Sequence, residues 1–162
     1  MSLRPASRAD FAFIRSLTTD PANAPFIGDD DEASLAASLA NEAEQLLIWQ
    51  PGTLPEGFAL FREIGNPSGR VELFRLALAR TDAGQGRVFV DALIDHAFGR
   101  LGAKRVWLDA SAENHRAIKV YLRAGFVEEG RLRAHWYRPV LAQSVDQVLF
   151  GMLRQEWESR RA

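Results

Sequence analysis

The chain contains no cysteine, so disulfide staples, thiolate metal sites and a cysteine nucleophile are excluded, while the compartment is left open. It also lacks an excess of either charge. Its 162 residues hold 20 lysines and arginines against 21 aspartates and glutamates, and this balance offers no field to hold a phosphate backbone or an anionic bilayer. Neither nucleic acid nor a membrane is expected as a partner. No stretch approaches the roughly 20 apolar residues of a membrane span, and Met1-Ser2-Leu3-Arg4-Pro5 lacks the apolar run of a secretion signal, so a cytoplasmic protein is expected. Two established phosphate loops are missing as well: Gly-x-x-x-x-Gly-Lys-Ser/Thr and the six-position Gly-x-Gly-x-x-Gly. Internal repeats and low-complexity tracts are absent.

What is present is enough for a core. With 47% hydrophobic residues, the chain has the length and composition of one domain spanning 1–162. Residues 3–6 read as a short strand, and Ser7 as the cap of a helix over 8–17 whose Phe11, Ile14 and Leu17 share a face. The tract 18–31, with two prolines, a glycine and Asp29-Asp30-Asp31, reads as a solvated loop that caps a helix over 32–44. Three adjacent aspartates point in different directions on a regular backbone, so the acidic run suits a helix N-terminus better than a metal ion. Strands are expected at 45–50, 58–64 and 71–78, parted by proline and glycine turns. The period then changes: Phe89, Val90, Leu93, Ile94, Ala97, Phe98 and Leu101 predict a helix over 86–101. A strand at 105–109, a helix at 114–124 stopped by Gly125, and a last strand near 148–153 complete the order.

Two segments carry chemistry. Thr81-Asp82-Ala83-Gly84-Gln85-Gly86-Arg87 lies between strand and helix, where uncovered backbone N–H groups and the helix dipole can hold a phosphate. Arg80 and Arg87 bracket it. An ordinary loop that needs glycine for its backbone angles explains the same residues. In the second segment Asn114 and Tyr121 stand two helical turns apart on one face, with the small Ala117 between them. An amide there can bond a ligand amide and a phenol can give up a proton. Capping by Asn114 and core packing by Tyr121 account for each residue singly.

Together these segments resemble the GNAT superfamily of N-acetyltransferases, with Gly84 and Gly86 in the first signature and Asn114, Ala117, Tyr121, Gly125 and Phe126 matching Asn-x-x-Ala-x-x-x-Tyr-x-x-x-Gly-Phe. The closing 147–157, with Gly130-Arg131-Leu132-Arg133 before it, resembles the branch that acetylates ribosomal-protein amino termini. Thr81 stands where the family has arginine or glutamine, and 139–144 departs from that branch's usual connection. The resemblance implies an α/β (α+β) fold, a mixed, mainly antiparallel sheet flanked by helices on both faces. It implies acetyl-coenzyme A as acetyl donor, lying along Leu76, Ala77 and Leu78, with its pyrophosphate on the N–H groups of Gln85, Gly86 and Arg87 beside Gly84, and with Asn114, Ala117 and Tyr121 also in contact. Tyr121 would protonate the leaving thiolate. No metal is implied.

The acceptor is expected to be a primary amine, either a protein N-terminal α-amine or a small molecule, acetylated directly. Because an ammonium has no lone pair, a base is needed. Glu72 is the candidate, with an outward-facing carboxylate as the alternative; Asp109, Ser111 and His135 follow it. His96 and His115 read as solvent-facing. A coenzyme A-binding sensor that transfers nothing is the competing class of function. Edge strands and the long carboxy-terminal segment are compatible with a homodimer.

Overall fold

Strands β2 (Gln45–Trp49) and β3 (Gly57–Arg62) are buried along nearly their whole length, as continuous apolar runs must be when a sheet is covered on both faces. A computed structural model, which describes residues 2–81 and 84–162, shows that covering. The strands β1 (Leu3–Pro5), β2, β3, β4 (Arg70–Leu78), β5 (Arg105–Ser111), β6 (Val127–Arg138) and β7 (Gln143–Leu153) form one seven-stranded sheet in the order β1-β2-β3-β4-β5-β7-β6. Every pairing is antiparallel except β4 with β5. On one face α3 (Gln85–Gly99) and α4 (His115–Ala124) enclose Leu47, Phe61, Leu73, Phe89, Leu108 and Phe150. On the other, α1 (Phe11–Thr18) and α2 (Glu32–Ala40) enclose Ile14, Leu35, Ile48, Phe58 and Leu60. The mixed sheet with helices on both faces is the expected one.

The parallel ladder is short. Arg70 pairs with Arg105, Val71 with Val106 and Glu72 with Trp107; beyond that β4 runs on beside β3 alone, and β5 beside β7 alone. A bulge at Phe74 shifts the β3–β4 register just where the two strands part.

Several boundaries differ from the sequence expectation. The helix expected over 8–17 begins as a single 3-10 turn, Arg8–Asp10, before α1, and Ser7 donates its N–H (2.8 Å) and hydroxyl (3.3 Å) to Asp10, so the carboxylate does the capping. The second helix stops at Ala40, where Asn41 turns extended and its side chain takes the Ala43 N–H. The twelve-residue β6 and the terminal helix α5 (Arg154–Arg161) were not anticipated. The first is a mostly exposed edge strand whose register shifts twice, after Glu128 and after Leu132. The second is polar nearly throughout and docks through Trp157, stacked on Phe98 with ring centroids 5.3 Å apart.

Candidate active site

Where β4 and β5 diverge, a cavity of about 600 Å³ opens between them. One end lies at the start of α3. Gly84 holds a left-handed conformation (φ 70°) as the N-cap and offers no side-chain cap, so the first N–H groups of α3 have no side-chain acceptor at that position. Thr81, Gly84, Gly86 and Arg87 line the cavity here, whereas Gln85 does not, and Asp82 and Ala83 fall outside the described residues. The two glycines have different reasons. Gly84 answers to its backbone angle, but a Cβ on Gly86 would meet nothing closer than Val120 Cγ2 at 3.6 Å, so the fold does not demand glycine there. Its missing side chain instead leaves the cavity wall clear beside the helix N-terminus, which suits a phosphate. Arg87 is ion-paired with Asp91 at 2.7 Å; Arg116 and Arg123 of α4, which the sequence did not single out, line the same cavity. Arg80 is exposed and is not in the lining.

The middle is formed by Leu76, Ala77 and Leu78 of β4 and by α4. Asn114 both caps α4, its Oδ1 accepting the Ala117 N–H at 3.3 Å, and lines the cavity with Ala117. Tyr121 is buried against Phe126 (edge-on, 6.0 Å) and Phe150 (5.7 Å), yet it reaches the cavity, and among the described residues its hydroxyl has no hydrogen-bond partner. Burial first, and then the negative charge of Asp109, push its pKa up, so the phenol keeps its proton through neutral pH.

The far end collects residues from distant parts of the chain. Asn23, Phe26, Ile27 and Gly28 form one wall, and His135, Trp136 and Arg138 of β6 another, with Asp109, Ser111 and Gln147 rising from the sheet. The tract expected as a solvated loop is in fact pinned. Arg138, itself buried, donates to the carbonyls of Ala24, Pro25 (3.2 Å) and Ile27 (2.8 Å) and lies over the Trp136 ring at 3.8 Å. The acidic run is consumed by the fold: Asp29 takes Arg15 and Thr18, Asp30 takes Arg75 at 2.8 Å, and only Asp31 caps α2. Among the described residues no cluster of histidine, aspartate and glutamate is suited to a metal ion.

β6 reaches the cavity through its bulge. Leu132 pairs with Gln147 and Trp136 with Val145, so two extra residues arch outward around Ala134, which sits at φ 47° and gives its N–H to Asp146 at 2.7 Å. His135 is placed on this arch, exposed to water and near enough to Asp109 for its charge to be felt. Asp109 is open to the cavity yet surrounded by protein, and this thin hydration pushes its pKa up. Glu72, half-buried and absent from the cavity lining, is pushed from 4.5 to about 7, by burial first and then by Asp109. The structure therefore gathers Tyr121, Asn114, Ala117, Leu76, Ala77, Leu78, Gly84, Gly86 and Arg87 around one cavity, sets Asp109 in its wall, and leaves Glu72 behind Asp109. His96 is not solvent-facing: it stacks on Phe61 and bonds Gln45 at 2.6 Å. His115 is exposed.

The start of α3, the splayed strands and a phenol thus share one cavity, and the sequence that builds them matches a known family. The model of the acetyltransferase (GNAT) family covers residues 11–126. The chain belongs to this family. Among curated GNAT relatives, a spermidine N(1)-acetyltransferase from Vibrio cholerae is 33% identical over 61 residues, 36% of this chain and 35% of that protein. A putative ribosomal N-acetyltransferase from Bacillus subtilis is 36% identical over 69 residues, 43% of this chain and 37% of that protein. The matched stretch thus spans about a third of each of these relatives. A solved structure of a spermidine N-acetyltransferase mutant from Vibrio cholerae superposes with a TM-score of 0.85 at 21% identity, covering 99% of this chain and 97% of that one. The same enzyme in complex with CoA and spermine also gives 0.85, at 20% identity over 96% of each chain. At this identity the likeness establishes the GNAT fold. Among the described residues no helix is long and apolar enough to cross a membrane.

Proposed function

We propose that the chain is an acetyl-coenzyme A-dependent N-acetyltransferase that passes an acetyl group directly to a primary amine. The observation that carries this is the single cavity joining the N-terminus of α3, the parted strands β4 and β5, and the Tyr121 hydroxyl. The residues fit the donor. Gly86 keeps the wall clear for a pyrophosphate, the α3 N-terminus supplies N–H groups and a favourable dipole, and β4 beyond Glu72 has no β5 partner along the cavity. When bound, acetyl-coenzyme A supplies an activated acyl carbon and a thiol leaving group.

The protein's part is then positioning and proton traffic. The amine must arrive neutral or lose a proton on the enzyme. Asp109 in the cavity wall and Glu72 behind it are carboxylates with no ion-pair partner among the described residues, and both are poised to hold that proton at pH values nearer neutrality than an exposed carboxylate would be. Tyr121, protonated and without a hydrogen-bond partner among the described residues, is the group we assign to protonate the leaving thiolate. A sensor that only binds coenzyme A has no use for that unpartnered buried phenol.

The acceptor class divides the relatives, one named for spermidine and one for a ribosomal substrate. The protein N-terminal α-amine is our first choice and a small polyamine the second, the latter favoured by the two unpaired carboxylates. Incubation with acetyl-coenzyme A and a panel of primary amines, with mass spectrometry of the products, tests the proposal: acetylated amine is expected, and no transfer to any of them together with no coenzyme A binding would refute it.

A further inference from the structure

Gln147 is the polar group at the acceptor end that nothing in the protein explains. It is 6% exposed, it lines the cavity, and its Oε1 is buried without a hydrogen-bond partner. No bond from its Nε2 to the protein is present among the described residues either, so the whole side-chain amide is uncommitted. A buried polar group left without a partner costs stability on folding. Natural interiors rarely carry one without a use.

Its neighbours do not satisfy it in the structure. Gln147 sits on β7 between Ser111 of β5 and Leu132 of β6 in the pairing register. Ser111 Oγ accepts the Glu113 N–H, at 3.3 Å, and helps form the turn before α4. The Arg138 guanidinium is taken up by three loop carbonyls, and His135 stands outside on the arch. No protein partner is present among the described residues, and the side chain lines the cavity, where a bound molecule can meet the amide. Asp109 lies two residues before Ser111 on β5, roughly 7 Å away along the strand, so the wall presents a carboxylate and then a neutral amide in succession. A carboxylate answers an amine. A primary amide both donates and accepts, and the group that complements it on both counts is another amide.

We propose that Gln147 is a specificity residue that selects acceptors carrying an amide beside the attacking amine, with the amine toward Asp109 and the amide on Gln147. This inference rests on the acetyltransferase function proposed above, and it favours a peptide-like α-amino amide over a bare alkylamine or a diamine.

The test uses the full chain and the variant Gln147→Met, nearly isosteric and without the amide, with Gln147→Leu as a second form should the first fold poorly. Two quantities are read: the melting temperature without ligand, and the ratio of kcat/KM for glycinamide to kcat/KM for isobutylamine, its apolar isostere, with 1,4-diaminobutane alongside. Comparing the ratio between proteins cancels the different basicities of the amines. Loss of the amide is expected to raise the melting temperature by about 2–4 °C, since an unsatisfied buried group is removed, and to cut the ratio about tenfold or more. A lower melting temperature in both variants would mean that the amide has a structural partner, and would overturn the proposal. So would an unchanged ratio, or a wild type that prefers the diamine by a margin Gln147→Met abolishes; in either case the transferase function stands. Absence of transfer by the wild type to any amine removes that function and this specificity with it.

Discussion

The two ends of the cavity are built by different means. The end proposed for the donor is made of backbone, small residues and short-range order: its lining from β4, α3 and α4 falls within residues 76–123, with β5 between the two helices, and its key groups are main-chain N–H, two glycines and one phenol. The acceptor end is assembled from 23–28, 109–111, 135–138 and 147, and is held by side chains acting over long distances in sequence. Arg138 alone joins β6 to carbonyls more than 110 residues earlier. A site whose donors are main-chain atoms tolerates much change in sequence, whereas one held by single guanidinium groups changes character with one substitution. The difference suggests a constant donor and an adjustable acceptor.

The sharpest way to break the comparison is at the phenol where the two ends meet. Tyr121→Phe is expected to lower kcat about a hundredfold, with coenzyme A affinity by calorimetry nearly unchanged. Thermal stability should also hold, since the hydroxyl bonds nothing among the described residues. Unchanged turnover would remove Tyr121 from the chemistry. A smaller effect separates the two glycines. Gly86→Val should weaken coenzyme A binding about tenfold by filling the clear wall, whereas Gly86→Ala, whose Cβ stays 3.6 Å from Val120, should leave stability nearly intact. Gly84→Ala should do the reverse, costing about 1 kcal/mol of stability at a positive φ with little change in affinity. At the acceptor end, Arg138→Met should raise the KM for the amine several-fold and leave coenzyme A affinity alone. Removing its charged hydrogen bonds to three carbonyls should also cost about 2 kcal/mol in denaturant unfolding.

The same division decided what could be read from the sequence. That the residues proposed for the donor share one cavity was legible because their signals are local: the Asn114–Ala117–Tyr121 spacing lies within one helix, and Gly84 and Gly86 line the same cavity. The core strands were legible because burial on both faces writes continuous apolar runs. The acceptor end was not, since nothing near Ala24 announces Arg138, and the arch at Ala134 hides β6 by breaking its alternation. Asp29 and Asp30 read as helix-dipole residues because their true partners, Arg15 and Arg75, are chosen by tertiary structure. One clue was available and unused. Gln147 is buried on the same face of β7 as Val145 and Leu149, where a purely structural strand would carry another hydrophobe.

The smallest expected effect bears on which carboxylate serves the acceptor end. In the folded protein Glu72 is raised from 4.5 to about 7, so the native state keeps a proton that the unfolded chain releases. Its contribution to stability is therefore complete below about pH 4.5 and declines as pH rises to about 7. Glu72→Gln, fixed in the neutral form, should match the wild type at about pH 4 and exceed it at about pH 8 by on the order of 1–2 kcal/mol, after allowance for partial solvent contact. Activity runs the opposite way, because a base works only once it has lost its proton. If Glu72 receives the amine's proton, kcat/KM should rise through about pH 7 in the wild type, and the inflection should vanish in Glu72→Gln. Survival of that inflection in Glu72→Gln and its loss in Asp109→Asn would assign the proton to Asp109. Glu72 would then be a carboxyl outside the cavity whose own pKa is held up by burial and by the charge of Asp109.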